Sequence, residues 1–220
     1  MEIKACIFDL DGTLLNTLTT ITHYVNEALH RAGGKSITEQ KCRTLVGKGA
    51  RNLLTRALAE VGREVEDFEA FFKAYDTQYN AAPAYLTEPY GGILPLLASL
   101  KEKGMRIAVL SNKPEGAVRP LVEKFFGDTV EVLSGGKTGV ALKPDPAAVR
   151  PVLDALGLFA EQTAFIGDSG EDIQTAKNYG AALSIGVTWG YRDREELLSK
   201  GADALADRPE DILSILGLQS

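Results

Sequence analysis

The sequence predicts an α/β fold: a doubly wound, mostly parallel sheet with a helical lobe inserted after the first strand. Three observations predict it. Short apolar runs of β type recur at "KACIF" near residue 6, "MRIAVLS" at 105–111, "TVEVLS" at 129–134, "TAFIG" at 163–167 and "ALSIGV" at 182–187. Helical patterns lie between the later runs, and most are closed by a glycine where a helix C-cap wants one. Between Asn16 and Tyr85 the alternation stops and helical periodicity alone continues.

Taken in order, the first run is apolar through Cys6, Ile7 and Phe8 up to Asp9, which suits a strand covered on both faces. The lobe then reads as four helices: "TTITHYVNEALHRAG", "ITEQKCRTLVG", "GARNLLTRALAEVG" and "EDFEAFFKAYDTQYNAA". Seventy residues (16–85) are too many for a loop inside a compact domain. We therefore divide the chain into a core of 1–15 and 86–220 and a lobe of 16–85. Linkers fall near Leu15 and at "TEPYGG", where Pro89, Gly91 and Gly92 mark a turn. Beyond the lobe, "GILPLLASLKEKG", "PEGAVRPLVEKFFG", "DPAAVRPVLDALG" and "EDIQTAKNYG" alternate with the remaining strands. Strand and helix in alternation place helices on both faces of a parallel sheet, and such sheets bind ligands at the carboxyl ends of their strands.

Composition narrows the partners. With 220 residues, 45% hydrophobic and 25% charged, the chain can bury one core plus a modest second lobe. A formal charge of −6 and the lack of any basic block argue against a nucleic-acid partner. The N-terminus shows no signal-peptide pattern, and no window approaches the roughly 20 apolar residues of a membrane span. Cys6 and Cys42 have neither metal-ligand spacing nor the look of a disulfide framework, so a reducing cytoplasm is expected; the charge favours a small-molecule partner, and a monomer or homodimer is expected.

Polar residues gather after successive strands. "DLDGT" follows the first, "SNK" (Ser111, Asn112, Lys113) the second, "LKPDP" with Lys143 the third, and "GDSGED" with Asp168 and Asp172 the fourth. Each alone has a bland explanation: a turn, a cap, a helix start, a solvated loop. Together, at one edge of one sheet, they make a site. Asp9, Asp11 and Asp168 would repel one another there unless a hard cation held them, and Mg²⁺ favours carboxylates, waters and a substrate phosphate. Asp9, at the end of a rigid strand, is the expected nucleophile, passing through an aspartyl-phosphate. Asp11, two residues on, is placed as general acid and then general base. Lys143, Ser111, Asn112 and the Gly12 region would supply positive charge and donors to the phosphoryl oxygens. Asp172 would assist the metal waters or orient Lys143.

The set "DLDGT", "SNK", "KPDP" and "GDSGED" resembles the four motifs of the haloacid dehalogenase superfamily, across the full chain. The resemblance implies a Rossmann-like core, aspartate-nucleophile phosphatase chemistry with Mg²⁺, and a helical cap in place of the lobe. "LVGKGARNLLTRAL", "SNKPEGAVRPLVEKF" and "GVTWGY" are most similar to bacterial phosphoglycolate phosphatases, which makes 2-phosphoglycolate the expected substrate. Asn16 stands where those relatives usually carry Asp, at the hinge and outside the motif ligands. Lys48 and Arg51 of the cap loop, with Arg56 beyond, form the expected receptor for the substrate carboxylate. Trp189 and Tyr191 are expected to pack rather than act. The alternatives are a sugar-phosphate mutase of the β-phosphoglucomutase type, a pyrophosphatase, or a scaffold on a retired fold. A dehalogenase is disfavoured by Asp11 and by a metal-ligand aspartate at 168.

Overall fold

The computed structural model describes residues 2–137 and 139–218. Six parallel strands form its main sheet: β1 (Ala5–Phe8), β4 (Arg106–Pro114), β5 (Val132–Gly136), β6 (Thr163–Gly167), β7 (Leu183–Val187) and β8 (Ala204–Ala206). Their order is β5-β4-β1-β6-β7-β8. The chain winds from β1 outward through β4 and β5, then returns to build the other half, so the crevice opens beside β1. Phe8 is level with Val109 on one side and Ile166 on the other, which brings three strand ends to one line.

Alternation along the strands divides the core. Cys6, Phe8, Val109 and Ile166 face one layer, with α5 (Ile93–Glu102), α6 (Glu115–Phe125) and α10 (Asp211–Ile215). Ile7, Ala108, Leu110 and Phe165 face the other, with α7 (Arg150–Leu156) and α8 (Gly170–Tyr179). Both faces are therefore covered, as the unbroken apolar strands require. Two details differ from the sequence expectation. The sheet has a sixth strand, β8, too short and too alanine-rich to show a β pattern. "SNK" also lies within β4, whose pairing with β5 is irregular between Leu110 and Pro114.

Between β1 and α5 run four helices: α1 (Leu18–Arg31), α2 (Glu39–Leu45), α3 (Gly49–Glu60) and α4 (Phe68–Ala81). Thr38 and Asp67 cap α2 and α4 by accepting from the amides of Lys41 and Ala70, each worth about 1 kcal/mol. Val25, Leu29, Cys42, Leu54 and Tyr75 make a separate apolar cluster there, joined to the core helices by Ala117 of α6. The chain leaves the sheet through β2 (Leu15–Asn16) and returns through β3 (Glu88–Pro89), paired antiparallel with Asn16 opposite Glu88. This two-stranded ribbon is the only strand pairing that links the two crossings among the described residues. At the far edge α9 (Arg194–Ser199) connects β7 to β8, and α10 follows β8.

Candidate active site

Asp9 continues the ladder of β1 by donating its amide to the Ile166 carbonyl at 2.9 Å, so its position is set by the sheet. The chain then turns tightly. Gly12 takes φ +85°, and a Cβ there would overlap the Asp168 carboxylate, so both conformation and space demand glycine. Asp168 stands at the end of β6, accepting from the Tyr191 amide at 2.6 Å and from the Thr13 hydroxyl at 3.2 Å. Asp172 follows in the first turn of α8. It completes a capping box with Ser169, whose amide and hydroxyl reach its Oδ2 at 3.0 and 2.6 Å.

Lys143 ties the cluster together. Its ammonium is 2.8 Å from Asp9 Oδ1 and 2.6 Å from Asp172 Oδ1, with its side chain only 3% exposed. Asn112 holds the lysine's backbone: its carboxamide accepts from the Lys143 amide at 2.7 Å and donates to the Lys143 carbonyl at 3.0 Å. Burial pushes the Asp9 carboxyl up to about 7, with Asp172 and Asp11 adding to the rise against the pull of Lys143. Burial, then Asp172 and Asp9, pushes Asp168 well above the ordinary carboxylate range.

A cation fits this crowd. Oxygens of Asp9, Asp168 and Asp172 lie within 4.8 Å of one another. Asp9 Oδ1 is buried without a hydrogen bond, because Lys143 approaches it closely but off the direction a directed bond needs. Three hard carboxylates packed this closely form a donor set suited to a divalent ion.

A model of the haloacid dehalogenase-like hydrolase family matches residues 6–185. The chain belongs to that family. The phosphoglycolate phosphatase of Rhodospirillum rubrum is 37% identical over 93% of this chain and 87% of its own length. That of Pectobacterium atrosepticum is 33% identical over 99% of this chain and 94% of its own. The crystal structure of a predicted phosphoglycolate phosphatase from Haemophilus somnus 129pt superposes with a TM-score of 0.90, at 30% identity and 98% coverage of both chains.

Within this family member, several residues stand elsewhere than the sequence suggested. The Asp11 carboxylate is not in the cation cluster; Asp172 takes that place. Asp11 is instead gripped by Lys113, whose Nζ reaches its two oxygens at 3.0 and 2.9 Å, and by the Thr17 hydroxyl at 2.7 Å. The Gly12 amide donates to the Leu15 carbonyl and is not a free phosphate donor, while the Asn112 side chain is committed to Lys143. Ser111 is buried on the cavity wall and only accepts, from the Lys113 amide at 3.3 Å.

The cap cations also point elsewhere. Arg51 forks onto Glu69 at 2.5 and 2.8 Å, over the Phe72 ring, and does not line the cavity. Lys48 is largely exposed, 4.0 Å from Glu171, beside a neighbouring groove. Arg56 donates to the Thr44 and Leu45 carbonyls.

Sequence reasoning missed the groups that join cap to core. Arg43 of α2 donates to the Gly190 and Tyr191 carbonyls, both at 2.6 Å. Arg192 returns the contact to the Arg43 and Val46 carbonyls at 2.6 and 2.5 Å. Tyr191 lines the cavity and bonds Thr17, continuing a chain of hydroxyls to Asp11, so it positions rather than merely packs. Gly190 allows this approach, since a Cβ there would collide with Asp168. The dipeptide "GY" in "GVTWGY" carried the signal, but nothing local says that Gly190 and Tyr191 meet residues 168 and 17.

Proposed function

We propose that the chain is a Mg²⁺-dependent phosphatase that hydrolyses 2-phosphoglycolate through an aspartyl-phosphate on Asp9. The observation that carries this reading is the Asp9 carboxylate, fixed by the strand, paired with Lys143 at 2.8 Å and clustered with Asp168 and Asp172. The names of its relatives supply the substrate class. Mg²⁺ held by Asp9, Asp168 and Asp172 would neutralise their mutual repulsion and draw charge from the phosphoryl oxygens.

In this scheme an oxygen of Asp9 forms a bond to phosphorus as the ester P–O bond breaks. Asp11 gives a proton to the departing alkoxide, then takes one from the water that attacks phosphorus and releases Asp9. Lys143 balances charge on the nucleophile, and Asp172 and Asn112 keep it aimed there. Thr17, with Tyr191 behind it, and Lys113 hold Asp11 in place. Residues 16–85 act as a cap that swings about the β2–β3 ribbon and closes through Arg43 and Arg192, excluding water from the reacting centre. Two free, buried thiols suit a cytoplasmic setting.

The test is phosphate release from 2-phosphoglycolate, hexose phosphates and pyrophosphate, with MgCl₂ and with EDTA. The expected result is highest kcat/KM for 2-phosphoglycolate, loss in EDTA, and no turnover by Asp9→Asn. Isomerisation of a hexose phosphate without phosphate release would establish the mutase chemistry instead.

A further inference from the structure

The cavity beside Asp9 and Asp11 needs a cation for an anionic substrate tail, and the cap loop does not provide one. Three cations line it: Lys143, Arg192 and Lys113. Lys143 is held against the nucleophile by Asp9 and Asp172, at the phosphoryl end of the site, and Arg192 is engaged by cap carbonyls. Lys113 remains. Its side chain is 6% exposed, and two of its three N–H groups are accounted for by the Asp11 oxygens. The ammonium also lies 4.7 Å from the centroid of the Tyr79 ring, on cap helix α4. Burial by itself would push this ammonium down, and Asp11 outweighs it, so Lys113 remains charged.

A second observation points to the same spot. Tyr79 is 5% exposed and lines the cavity; its hydroxyl lies beside the Lys113 ammonium without the geometry of a directed bond, and no other described group partners it. A buried hydroxyl without a partner costs about 1–3 kcal/mol, which an incoming acceptor would relieve.

We infer that Lys113, together with the Tyr79 hydroxyl, is the receptor for the substrate's carboxylate. The inference rests on the proposed phosphatase reading. Asp9, Asp11, Lys113 and Tyr79 line one cavity, and the Cα atoms of Asp9 and Asp11 are at most about 7 Å apart, which suits a substrate as short as 2-phosphoglycolate. The carboxylate takes the third N–H of Lys113 in place of the ring face, and the Tyr79 hydroxyl donates to it. Because one group comes from β4 and the other from the cap, recognition of the tail also ties cap to core.

The experiment compares kcat/KM for 2-phosphoglycolate with that for ethyl phosphate. Both release a primary alkoxide that needs a proton and differ mainly at the carboxylate, so an effect of Lys113 on Asp11 falls on both esters and largely divides out of the ratio. The wild-type enzyme favours 2-phosphoglycolate. In Lys113→Met the ratio falls about 10- to 150-fold, the range of a hydrogen bond to a charged group, and in Tyr79→Phe about 2- to 10-fold. An unchanged ratio in Lys113→Met overturns the inference. Should that variant not fold, Tyr79→Phe decides by the same ratio, a fall supporting the receptor and no change overturning it. A wild-type enzyme that hydrolyses both esters but shows no preference overturns the receptor while leaving the phosphatase in place. Absence of phosphate release from either ester removes the functional reading itself.

Discussion

Lys143→Met tests whether a buried cation is what permits the carboxylates to assemble. The ammonium sits 2.8 Å from Asp9 and 2.6 Å from Asp172. At an effective dielectric of about 20, each contact is worth about 6 kcal/mol of attraction, or about 12 kcal/mol in total. Desolvation of the three groups offsets most of this. Removing one partner of such a buried cluster leaves a net loss of about 3–5 kcal/mol, because the remaining charges stay buried. With a urea m-value of about 3 kcal/mol/M, the unfolding midpoint in EDTA drops by about 1–1.7 M. Adding Asp172→Asn recovers a good part of the loss, since it removes a charge the lysine had balanced. MgCl₂ narrows the gap from wild type, because the carboxylates stripped of the Lys143 charge bind the ion more tightly in the folded state. Turnover falls by ~100-fold or more, the scale of one preorganised electrostatic donor. The readout is urea unfolding with and without EDTA, alongside phosphate release. A loss below about 1 kcal/mol in EDTA would refute the reasoning, because the carboxylates would then tolerate one another unaided.

Other outcomes follow from the same geometry. Asp11→Asn should slow ethyl phosphate hydrolysis far more than that of p-nitrophenyl phosphate, whose leaving group needs no proton; equal losses in kcat/KM would remove Asp11 from the acid role. Arg43→Ala deletes two bonds from cap to core, so kcat/KM should fall about 10-fold or more with stability to urea little changed; unaltered kinetics would show that the latch does not govern closure. Gly190→Ala forces a methyl group against Asp168, and isothermal titration should show markedly weaker Mg²⁺ binding; wild-type affinity would contradict the packing. Burial pushes the Cys6 thiol up to about 12 and Cys42 up to about 11. Both therefore stay protonated at neutral pH, and a disulfide reagent at pH 8 should label neither until urea unfolds the chain.

Much of the molecule could be read from the chain alone, for a physical reason. Strands buried on both faces must be continuously apolar, and helices that cover them must repeat every three to four residues, so the alternation and the four helices of the lobe are written locally. Asp9, Ser111, Lys143, Asp168 and Asp172 were legible because parallel strands deliver their ends to one edge. Tertiary structure decided how those groups share their charges. It exchanged Asp11 for Asp172 beside Asp9, because Lys113 offers Asp11 two bonds from 102 residues away. It turned Arg51 outward, where Glu69 lies one helix away. It made Tyr191 and Arg43 parts of the site through contacts 174 and 148 residues long in sequence. An ion pair is chosen by distance and desolvation in the folded chain, and neither quantity exists in a pattern of residue types.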